Sequence, residues 1–599
     1  PVAKRSRTGC GSSDTDGSSG TLLVTEGVET TTSTISESEI FAFGHQSVEN
    51  PISKEVCEFI DGMVLSTVEM DMTSELDGPD RERWLEAFKV EYGAIMKTGT
   101  FAKMTPDASK MVREGKIKIH QTRPILSHKF NEAGEIARYK VRLVVKGFTM
   151  EKGVDYDKTF APCARMTTVR MVVAYAVALG WNVTHSDVPN AYLNGKTPHL
   201  VVIKLPPMWT EIVGNEIGNN GDPAIMANSL YGAPDAGRNW NSTYTSFFLE
   251  EGYTQCVKEP CIFYKGQFPK IAIFVVWVDD NFATGGDTVE LDRMHARLKE
   301  RFNIKVLGRL SYALGIAFAW DQSGVKMTQT AFIDKIASRF RMDGATPSTL
   351  PVQAGFKPLK KMCPKDDTER DEMKKVPYRS AIGSLLYVAL STRPDIAYAV
   401  CSLARYNHDP GKAHWSAVKN VIKYLMHTRD MGLVYLSPSS QLQIQDLIPH
   451  GFSDASFNDS DDGRSTMGFV TMIHKYPIAW KSKVFKNVAQ STYEAEWVAM
   501  NTLTREIMWA RYVSSLVLAP CPVASTVRID NRACALCIDD RVTEANKHFR
   551  PKYFFVVRMS LKGEVSVVKV GTAENLADMM TKSLGHPAFD NHRLSVGVS

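Results

Sequence analysis

Apolar residues recur at two spacings along the chain, and each spacing predicts a different element. In "DRERWLEAFKVEYGAIM" the aromatic residues Trp84, Phe88 and Tyr92 are four positions apart, which predicts an amphipathic helix. In "IAIFVVWVDDNFAT", residues 271–284, an unbroken apolar run predicts a buried strand that turns back as a hairpin. The predicted tip of that hairpin, 279–281, begins with two adjacent carboxylates.

The region 447–585 has a different order of elements from the rest of the chain. Strands are predicted at about 451–457, 466–473 and 476–485. A long helix at 491–517, a strand at 526–530, further helices and the strand "EVSVVKV" follow, and this order predicts a mixed sheet covered by helices. At the other end, residues 1–50 are rich in Ser, Thr, Gly and Glu, and we predict that they are disordered.

Composition narrows the functional class only slightly. With 599 residues, 44% of them apolar and 23% charged, the chain is long enough for several cores and suits a soluble globular protein. The net charge of +5 permits a polyanionic partner without requiring one. Ten scattered cysteines favour a reduced intracellular setting, and no apolar run approaches the ~18 residues that span a membrane. Because the first residue is Pro1, we expect a fragment or processed piece of a longer protein.

The adjacent carboxylates of Asp279 and Asp280 raise a problem of charge. Like charges at a dry strand end repel, and burial disfavours both ionised forms. A divalent cation reverses that cost because hard cations bind carboxylate oxygens, and phosphoryl transfer commonly uses two such ions ~3.5–4 Å apart. A further carboxylate is then expected, and Asp187 is the candidate because it ends the strand-like "NVTHSD". Taken alone, Asp-Asp-Asn also fits a polar hairpin turn.

The C-terminal region contains a second set of acids at positions where a lone charge is unfavourable. In "QSTYEAEWVAM" the S-x-x-E pattern gives Glu494 a structural role in a capping box, whereas Glu496 aligns with the apolar stripe of the helix. A buried acid needs a partner or a metal. Asp454 at mid-strand, Asp530 at a strand end and Asp578 in "NLADMM" pose the same problem. Four acids on separate elements suit a second two-metal site, although each alone fits an N-cap or a surface charge.

Several longer segments occur in a fixed order around these acids. They begin with "ARYKVRLVVKGFTMEKGVDYDKTFAPCARMTTVR", "HSDVPNAYLNG", "SLYGAPDAGRNW", "FVVWVDD" and "LGRLSYALGI". They continue with "YRSAIGSLLYVALSTRPDIAYAVCSLARYNHDPGKAHW", "GFSDASFNDSDDGRSTMGFV", "SKVFKNVAQSTYEAEWVA", "IDNRACA" and "NLADMMTKSLG". In order and spacing, over roughly residues 80–585, they resemble the reverse transcriptase of copia-type long-terminal-repeat retrotransposons.

The resemblance implies an α+β fold: a right-hand polymerase with fingers and palm, a connection region and a C-terminal ribonuclease H-like α/β domain. We accordingly divide the chain into four parts. They are a disordered low-complexity segment (1–77), the reverse transcriptase fingers and palm (78–345), a helical connection or thumb-like region (346–446) and the ribonuclease H-like domain (447–590). The implied activity is RNA-directed DNA synthesis, with cleavage of the RNA strand of the RNA–DNA hybrid.

The resemblance also implies roles for individual residues. The implied catalytic metal ligands are Asp187, Asp279 and Asp280 in the polymerase and Asp454, Glu496, Asp530 and Asp578 in the nuclease. Each set is implied to hold two Mg²⁺ ions, with Mn²⁺ as an alternative. Arg142, and more weakly Lys140, match a triphosphate-binding basic residue, and Tyr192 matches a ring beneath the nucleotide sugar. A solvated strand face and core packing are the alternatives for these three, and His548 in "NKHF" resembles a position near the substrate.

Two positions depart from the family pattern. Trp277 stands where the family usually has Tyr or Phe before Val-Asp-Asp, and a larger ring beside the primer could slow synthesis or change its fidelity. "YGAPDA" replaces the family's "YGLKQA", so Asp235 stands where a glutamine usually contacts the nucleotide region. A carboxylate near a triphosphate is unfavourable unless a metal or a basic residue screens it.

The partners expected for such an enzyme are an RNA template, a DNA primer, the RNA–DNA hybrid and dNTPs, bound largely through backbone phosphates. The family also implies integrase and capsid modules of the same polyprotein, and location in a cytoplasmic virus-like particle or the nucleus, with no membrane. Two alternatives stay open: a catalytically inactive remnant that only binds nucleic acid, and a free-standing nuclease. All seven acids stand in family order, which favours the polymerase.

Overall fold

The computed structural model describes residues 72–130, 136–518, 521–536 and 550–599. All of them belong to one unit, Ser33–Ser599. Most of the predicted disordered segment and the candidate His548 lie outside the described residues. The first described helix, Met72–Leu76, precedes residue 78, where we placed the start of the first domain. Within the described ranges, no helix combines the length and the apolar content that a membrane crossing needs.

The region up to residue 345 alternates helices and strands. Its helices are α1 (Met72–Leu76), α2 (Arg81–Lys97), α3 (Pro106–Arg113), α4 (Met166–Leu179), α5 (Trp209–Val213), α6 (Ala236–Glu250), α7 (Thr288–Phe302) and α8 (Thr330–Arg339). Its first strands are β1 (Phe101–Ala102), β2 (Ile119–His120), β3 (Thr122–Phe130), β4 (Ile136–Val145), β5 (Val183–Asp187), β6 (Lys196–Lys204), β7 (Pro223–Asn228) and β8 (Thr254–Gln255). The later strands are β9 (Ile262–Gln267), β10 (Lys270–Trp277), β11 (Asp280–Gly285), β12 (Lys305–Arg309), β13 (Tyr312–Ala313), β14 (Ile316–Asp321) and β15 (Gly324–Thr328).

The first part of this region packs around α2. The predicted stripe of Trp84, Phe88 and Tyr92 is fully buried, which confirms the amphipathic helix. It packs in one apolar cluster with residues of the β3–β4 hairpin and of the sheet β1-β7-β6-β2. Shortly after β4, the backbone at Gly147 passes close to the backbone at Gly232. A Cβ on Gly147 would lie 2.0 Å from the carbonyl oxygen of Gly232. Only glycine permits that contact.

A six-stranded sheet of order β12-β5-β11-β10-β9-β8 contains the predicted hairpin. Strands β10 and β11 pair antiparallel, with Trp277 opposite Asp280, so the hairpin over 271–284 is confirmed. The turn lies at residues 278–279, one position earlier than the predicted tip. Val278 has a left-handed backbone (φ 57°), and its carbonyl accepts a hydrogen bond from Trp240 Nε1 at 2.7 Å. The sheet and this anchor hold the turn in place.

Helix α4 is apolar on nearly all sides because two neighbours cover it. One apolar cluster joins α4 to the six-stranded sheet and to the C-terminal region. Arg170 of α4 donates a hydrogen bond to the carbonyl of Ile478 at 2.7 Å, and its guanidinium lies 4.0 Å from the ring centroid of Trp480. Tyr175 of α4 donates to Ser514. The two regions therefore share a continuous core.

The region after residue 345 is mainly helical. It contains α9 (Asp367–Lys374), α10 (Tyr378–Ser391), α11 (Ala397–Ala404), α12 (Lys412–His427) and the strand β16 (Leu433–Leu436). Strand β16 pairs with β15 and completes the sheet β13-β14-β15-β16. An ion pair between Arg393 Nη2 and Asp395 Oδ2, 2.7 Å long, has both side chains fully buried. Tyr424 donates to the same carboxylate, and Arg393 also donates to the carbonyl of Thr428.

The C-terminal region forms one five-stranded sheet with helices. Its elements are β17 (Pro449–Ser456), β18 (Thr466–Ile473), β19 (Tyr476–Val484), α13 (Thr492–Leu518), β20 (Ser525–Ile529), α14 (Arg532–Leu536), α15 (Arg550–Leu561), β21 (Val565–Lys569) and α16 (Ala588–Ser595), with a 3₁₀ helix at Leu576–Met580. The order is β19-β18-β17-β20-β21, with β17, β20 and β21 parallel. Elements of both types in this arrangement confirm the α+β class and the α/β character of the C-terminal domain.

Removing the carboxylate of the buried Arg393–Asp395 pair should destabilise the helical region strongly. We expect Asp395→Ala to lower the free energy of unfolding by about 3–5 kcal/mol, because it leaves a buried guanidinium without its counter-charge. Urea denaturation followed by circular dichroism measures the change. The control is Asp367→Ala, which removes the exposed pair with Arg370 and should cost at most ~1 kcal/mol. Equal losses in the two variants would contradict the prediction.

Candidate active sites

The three predicted polymerase acids meet at one end of the six-stranded sheet. Asp187 is the last residue of β5 and lies directly opposite Asp280, the first residue of β11, in the antiparallel register. Asp279 occupies the turn before β11, and its carbonyl accepts a hydrogen bond from the backbone N–H of Val188 at 2.9 Å. Two strand ends and one turn therefore bring together acids that are far apart in sequence.

This arrangement is electrostatically unfavourable without a cation. Burial, and after it the charge of Asp280, raises the pKa of Asp187. Lys305, His185 and Lys140 act in the opposite direction. Hard divalent cations bind carboxylate oxygens, so the facing pair of Asp187 and Asp280 offers suitable donors. Within the described residues, however, the carboxylate oxygens of Asp187, Asp279 and Asp280 do not all lie within 4.8 Å of one another.

His185 is a polar contact of this site that the sequence did not lead us to predict. Its Nε2 lies 2.7 Å from Asp280 Oδ1, and its side chain is only 7% exposed. Its ring stacks on Phe282, with centroids 5.5 Å apart. A signal existed in the sequence: His185 precedes Asp187 by two positions, so in a strand both side chains point to the same face.

The predicted substrate-binding residues Arg142 and Tyr192 both lie against the ring of Tyr231. The Arg142 guanidinium lies 5.0 Å from the ring centroid of Tyr231, and that ring lies 5.3 Å from the ring of Tyr192. Lys140, two residues before Arg142 on β4, is among the charges that lower the pKa of Asp187. The structure thus brings the charge of Lys140 to bear on Asp187 and groups Arg142 and Tyr192 around the ring of Tyr231.

Asp235 and Trp277, the two departures from the family pattern, are both buried. Asp235 immediately precedes α6, and its carboxylate accepts a hydrogen bond at 2.9 Å from Asn239 Nδ2, which also donates to Ser229. Burial raises the pKa of Asp235. Trp277 packs in the apolar cluster shared with the C-terminal region. The hydrogen bond from Asn239 gives Asp235 a local structural role, and its contact with a nucleotide stays a prediction.

The four predicted nuclease acids come together in the C-terminal domain. Asp454 lies on the central strand β17, Asp530 follows β20, Asp578 lies in the 3₁₀ helix and Glu496 lies on α13. One carboxylate oxygen from each of Asp454, Asp530 and Asp578 lies within 4.8 Å of the others. Asp454 is 2% exposed and Asp578 6% exposed, so this cluster is drier than the polymerase trio.

Glu496 completes the cluster from the helix side. Burial, followed by the charges of Asp454 and Asp530, raises its pKa to about 9. Burial and Asp454 raise the pKa of Asp578 to about 6. Glu496 Oε2 is buried and has no hydrogen-bond partner among the residues that the structure describes. A buried orphan oxygen beside three other acids is the donor chemistry that a divalent cation satisfies, so the quartet fits such an ion.

Thr581 and Lys582, which follow Asp578 in the sequence, also contact the quartet, and neither was predicted. Thr581 Oγ1 donates a hydrogen bond to Asp454 Oδ2. Lys582 Nζ lies 3.1 Å from Asp578 Oδ1 and 3.4 Å from Asp454 Oδ2. The spacing of Asp578 and Lys582, four residues apart, is the familiar signal for an ion pair on a helix. The sequence carried no signal for the contacts with Asp454, which lies more than a hundred residues away.

Comparison with known proteins relates this geometry to a family. Residues 112–354 match the family model described as reverse transcriptase (RNA-dependent DNA polymerase). The chain is 32% identical over 536 residues to the retrovirus-related Pol polyprotein from transposon TNT 1-94 of Nicotiana tabacum, covering 87% of this chain and 38% of that protein. It is 31% identical over 522 residues to the one from transposon RE2 of Arabidopsis thaliana, covering 86% and 34%.

A solved structure is similar at a greater distance. It is a foamy viral protease-reverse transcriptase in complex with double-stranded DNA, with a TM-score of 0.41, 12% identity, and coverage of 91% of this chain and 99% of that chain. A similarity of this size carries no argument about the present site. The sequence relatives are more informative, although this chain spans only about a third of their length. On their identity and on the matched reverse transcriptase region, the chain belongs to the reverse transcriptase family, in the group found in Pol polyproteins of copia-type transposons.

Proposed function

We propose that this chain is an RNA-directed DNA polymerase that also cleaves the RNA strand of the RNA–DNA hybrid. The observation that carries the proposal is the cross-strand pairing of Asp187 with Asp280 beside the turn at Asp279. Like charges at one sheet end oppose each other unless a cation screens them, and the charge of Asp280 raises the pKa of Asp187. Membership of the reverse transcriptase family supports the same activity.

At the polymerase site the acid trio would hold divalent cations, Mg²⁺ or alternatively Mn²⁺. When bound, the ions supply charge stabilisation to the attacking and leaving oxygens of an in-line displacement. The residues of the chain position the reactants. Arg142 and Lys140 bind the triphosphate of the incoming dNTP, and Tyr192 supports its sugar. The trio would face the primer 3′-hydroxyl, whose oxygen attacks the α-phosphate of the dNTP while the bond from the α-phosphorus to the bridging oxygen breaks and pyrophosphate leaves.

At the nuclease site the quartet would hold divalent cations beside the scissile phosphate of the RNA strand. Asp454 is the acid that the contacts place at the centre, because Glu496, Asp530, Asp578 and Thr581 all act on it or respond to its charge. Water replaces the 3′-hydroxyl as nucleophile. An RNA–DNA hybrid is recognised largely through its shape and its 2′-hydroxyls.

The proposed partners follow from this reaction. They are an RNA template, a DNA primer, their hybrid and dNTPs. Since the relatives are named as Pol polyproteins, integrase and capsid modules of the same polyprotein are proposed partners too. We place the reaction in a cytoplasmic virus-like particle, with the nucleus as a second location.

Reciprocal variants of the two acid sets should separate the two activities. We expect Asp279→Asn with Asp280→Asn to lower primer extension on poly(rA)/oligo(dT) with Mg²⁺ by about 100-fold or more. Loss of groups that only support metal ligands already costs ~10–100-fold, and these are the ligands. The same variant should keep its cleavage of a labelled RNA–DNA hybrid.

The matched control is Glu496→Gln, which should lose hybrid cleavage and keep primer extension. Failure of the parent protein in both assays, with hybrid binding intact, would instead support a nucleic-acid-binding remnant. Cleavage without any extension by the parent would support the free-standing nuclease.

The contact between His185 and Asp280 should matter most at low metal concentration. We expect His185→Leu to reduce primer extension about 10-fold or more at limiting Mg²⁺, because a residue that orients a ligand sets the ligand's affinity for the ion. His185→Gln retains a donor and should retain most of the activity. The readout is the Mg²⁺ dependence of the extension rate. Equal rates for His185→Leu and the parent at every Mg²⁺ concentration would refute the role.

The raised pKa of Glu496 predicts how the stability of the metal-free protein depends on pH. From pH ~4.5 to about 9 the folded chain holds a proton on Glu496 that the unfolded chain releases, so the free energy of unfolding falls as pH rises. The groups that face Glu496 are Asp454, Asp530 and Lys582. In EDTA we expect the thermal midpoint to fall more steeply from pH 6 to pH 9 in the parent than in Glu496→Gln.

Saturating Mg²⁺ should make the thermal midpoint of the parent depend less steeply on pH, because the ion compensates the charge of the ionised carboxylate. Differential scanning fluorimetry at a series of pH values makes the comparison. Parallel curves for parent and variant in EDTA would show that Glu496 ionises normally and would rule out the buried-acid account.

A further inference from the structure

We propose that Lys582 is a tethered cation of the nuclease site, which occupies the space between Asp454 and Asp578 and yields it to a divalent metal ion. Its ammonium lies 3.1 Å from Asp578 and 3.4 Å from Asp454, whose side chains are 9% and 2% exposed. The proposal rests on the proposed nuclease function of the quartet. It assigns Lys582 as a positioning residue that sets how tightly one of the ions binds.

The backbone around Lys582 is fixed on both sides. Its own N–H donates to the carbonyl of Asp578 at 3.0 Å, and the neighbouring Thr581 hydroxyl donates to Asp454. On the other side, Ser583 Oγ donates to the carbonyl of Phe356, and Ser583 accepts from the N–H of Gly355. The Cα of Lys582 therefore cannot leave the site when its side chain moves.

The side chain, by contrast, has room to leave. Lys582 is 39% exposed, whereas the acids it contacts are almost wholly covered. A lysine stem has four rotatable bonds, so the ammonium can swing to solvent while the backbone stays in place. This combination of a fixed base and an exposed head is what a displaceable cation needs.

Geometry makes the ammonium and a metal ion mutually exclusive at this position. Mg²⁺ binds carboxylate oxygens at ~2.0–2.1 Å, so an ion shared by Asp454 and Asp578 would fill the space where Nζ now lies. Among the described residues, the ion pairs of the ammonium are with Asp454 and Asp578, whereas Glu496 and Asp530 feel its charge from further away. Competition is therefore expected for one ion, the one held by Asp454 and Asp578, and not for an ion held by Glu496 and Asp530.

Two effects of opposite direction follow from removing the charge. Without the ammonium, the acids repel one another more strongly, so the metal-free protein becomes less stable. The same removal strengthens metal binding, because the ion no longer displaces a resident cation and no longer meets its repulsion. A lysine with a merely structural role would weaken stability without tightening the metal site.

Direct metal binding tests the inference. The full chain carries Asp279→Asn with Asp280→Asn as a background, so that bound ions report on the quartet. Mn²⁺ is added stepwise to this protein, and electron paramagnetic resonance measures the Mn²⁺ that stays free. We expect Lys582→Met to lower the dissociation constant of the weaker Mn²⁺ by about tenfold and to lower the thermal midpoint in EDTA. Lys582→Gln should behave alike, and Lys582→Arg should restore the parent values.

The matched control is Lys562→Met, which removes an exposed lysine of the same domain and should change neither quantity. Unchanged or weaker Mn²⁺ binding in folded Lys582→Met and Lys582→Gln would contradict the proposed role of Lys582. If the parent still cleaves hybrid in that case, the proposed nuclease function is retained. If Asp454→Asn binds as much Mn²⁺ as the parent and the parent does not cleave hybrid, the nuclease and the role of Lys582 both fall.

Discussion

Repulsion between carboxylates that the fold forces together is the interaction on which both candidate sites depend. A sheet can hold such groups close together only if the free energy of backbone pairing outweighs the repulsion between the side chains. In the first site the β5–β11 register does this by fixing Asp187 opposite Asp280. In the second, Gly468 of β18 lies opposite Asp454 of β17, and the 3₁₀ helix that carries Asp578 packs so close to β18 that a Cβ on Gly468 would lie 2.5 Å from Met580. In each case backbone structure enforces an unfavourable electrostatic arrangement, and that arrangement is what favours a divalent cation.

The same backbone also links the two sites. Helix α4 lies behind the sheet that carries the acid trio and contacts the domain that carries the quartet, through Arg170 and Tyr175. Because the guanidinium of Arg170 is buried and donates to carbonyls of two different segments, including that of Leu390, it joins three parts of the chain at one point. A shared apolar core of this kind leaves little freedom for one site to move against the other, so a nucleic acid bound to both would meet them at a constant separation.

The sequence allowed the prediction of those features that depend on local spacing. The hairpin over 271–284 follows from an unbroken apolar run that ends in polar residues, whereas helix α13 and the place of Glu496 on its buried stripe follow from a period of 3.6 residues. The capping box was half right: Ser491 accepts from the N–H of Glu494, but the Glu494 carboxylate reaches the N–H of Gln490. Contacts between distant segments were not predictable. Tertiary packing alone decides the position of β16 in a sheet of the preceding region and the approach of Lys582 to Asp454. Neither contact can therefore be predicted from the local sequence pattern.

The two sites differ in how the chain itself offsets their negative charge. Around the trio the compensating groups are spread out: His185 contacts one acid, while Lys305 on the adjacent strand β12 and Lys140 on β4 of a separate sheet act on Asp187. Around the quartet, within the described part of the chain, the Lys582 ammonium contacts two acids at once, and Glu496 Oε2 has no hydrogen-bond partner. Desolvation is also greater there, which is why Glu496 has a pKa of about 9. A more desolvated cluster gains more free energy from a bound metal ion, so we expect the local structure of the quartet to be coupled to metal binding more tightly than that of the trio.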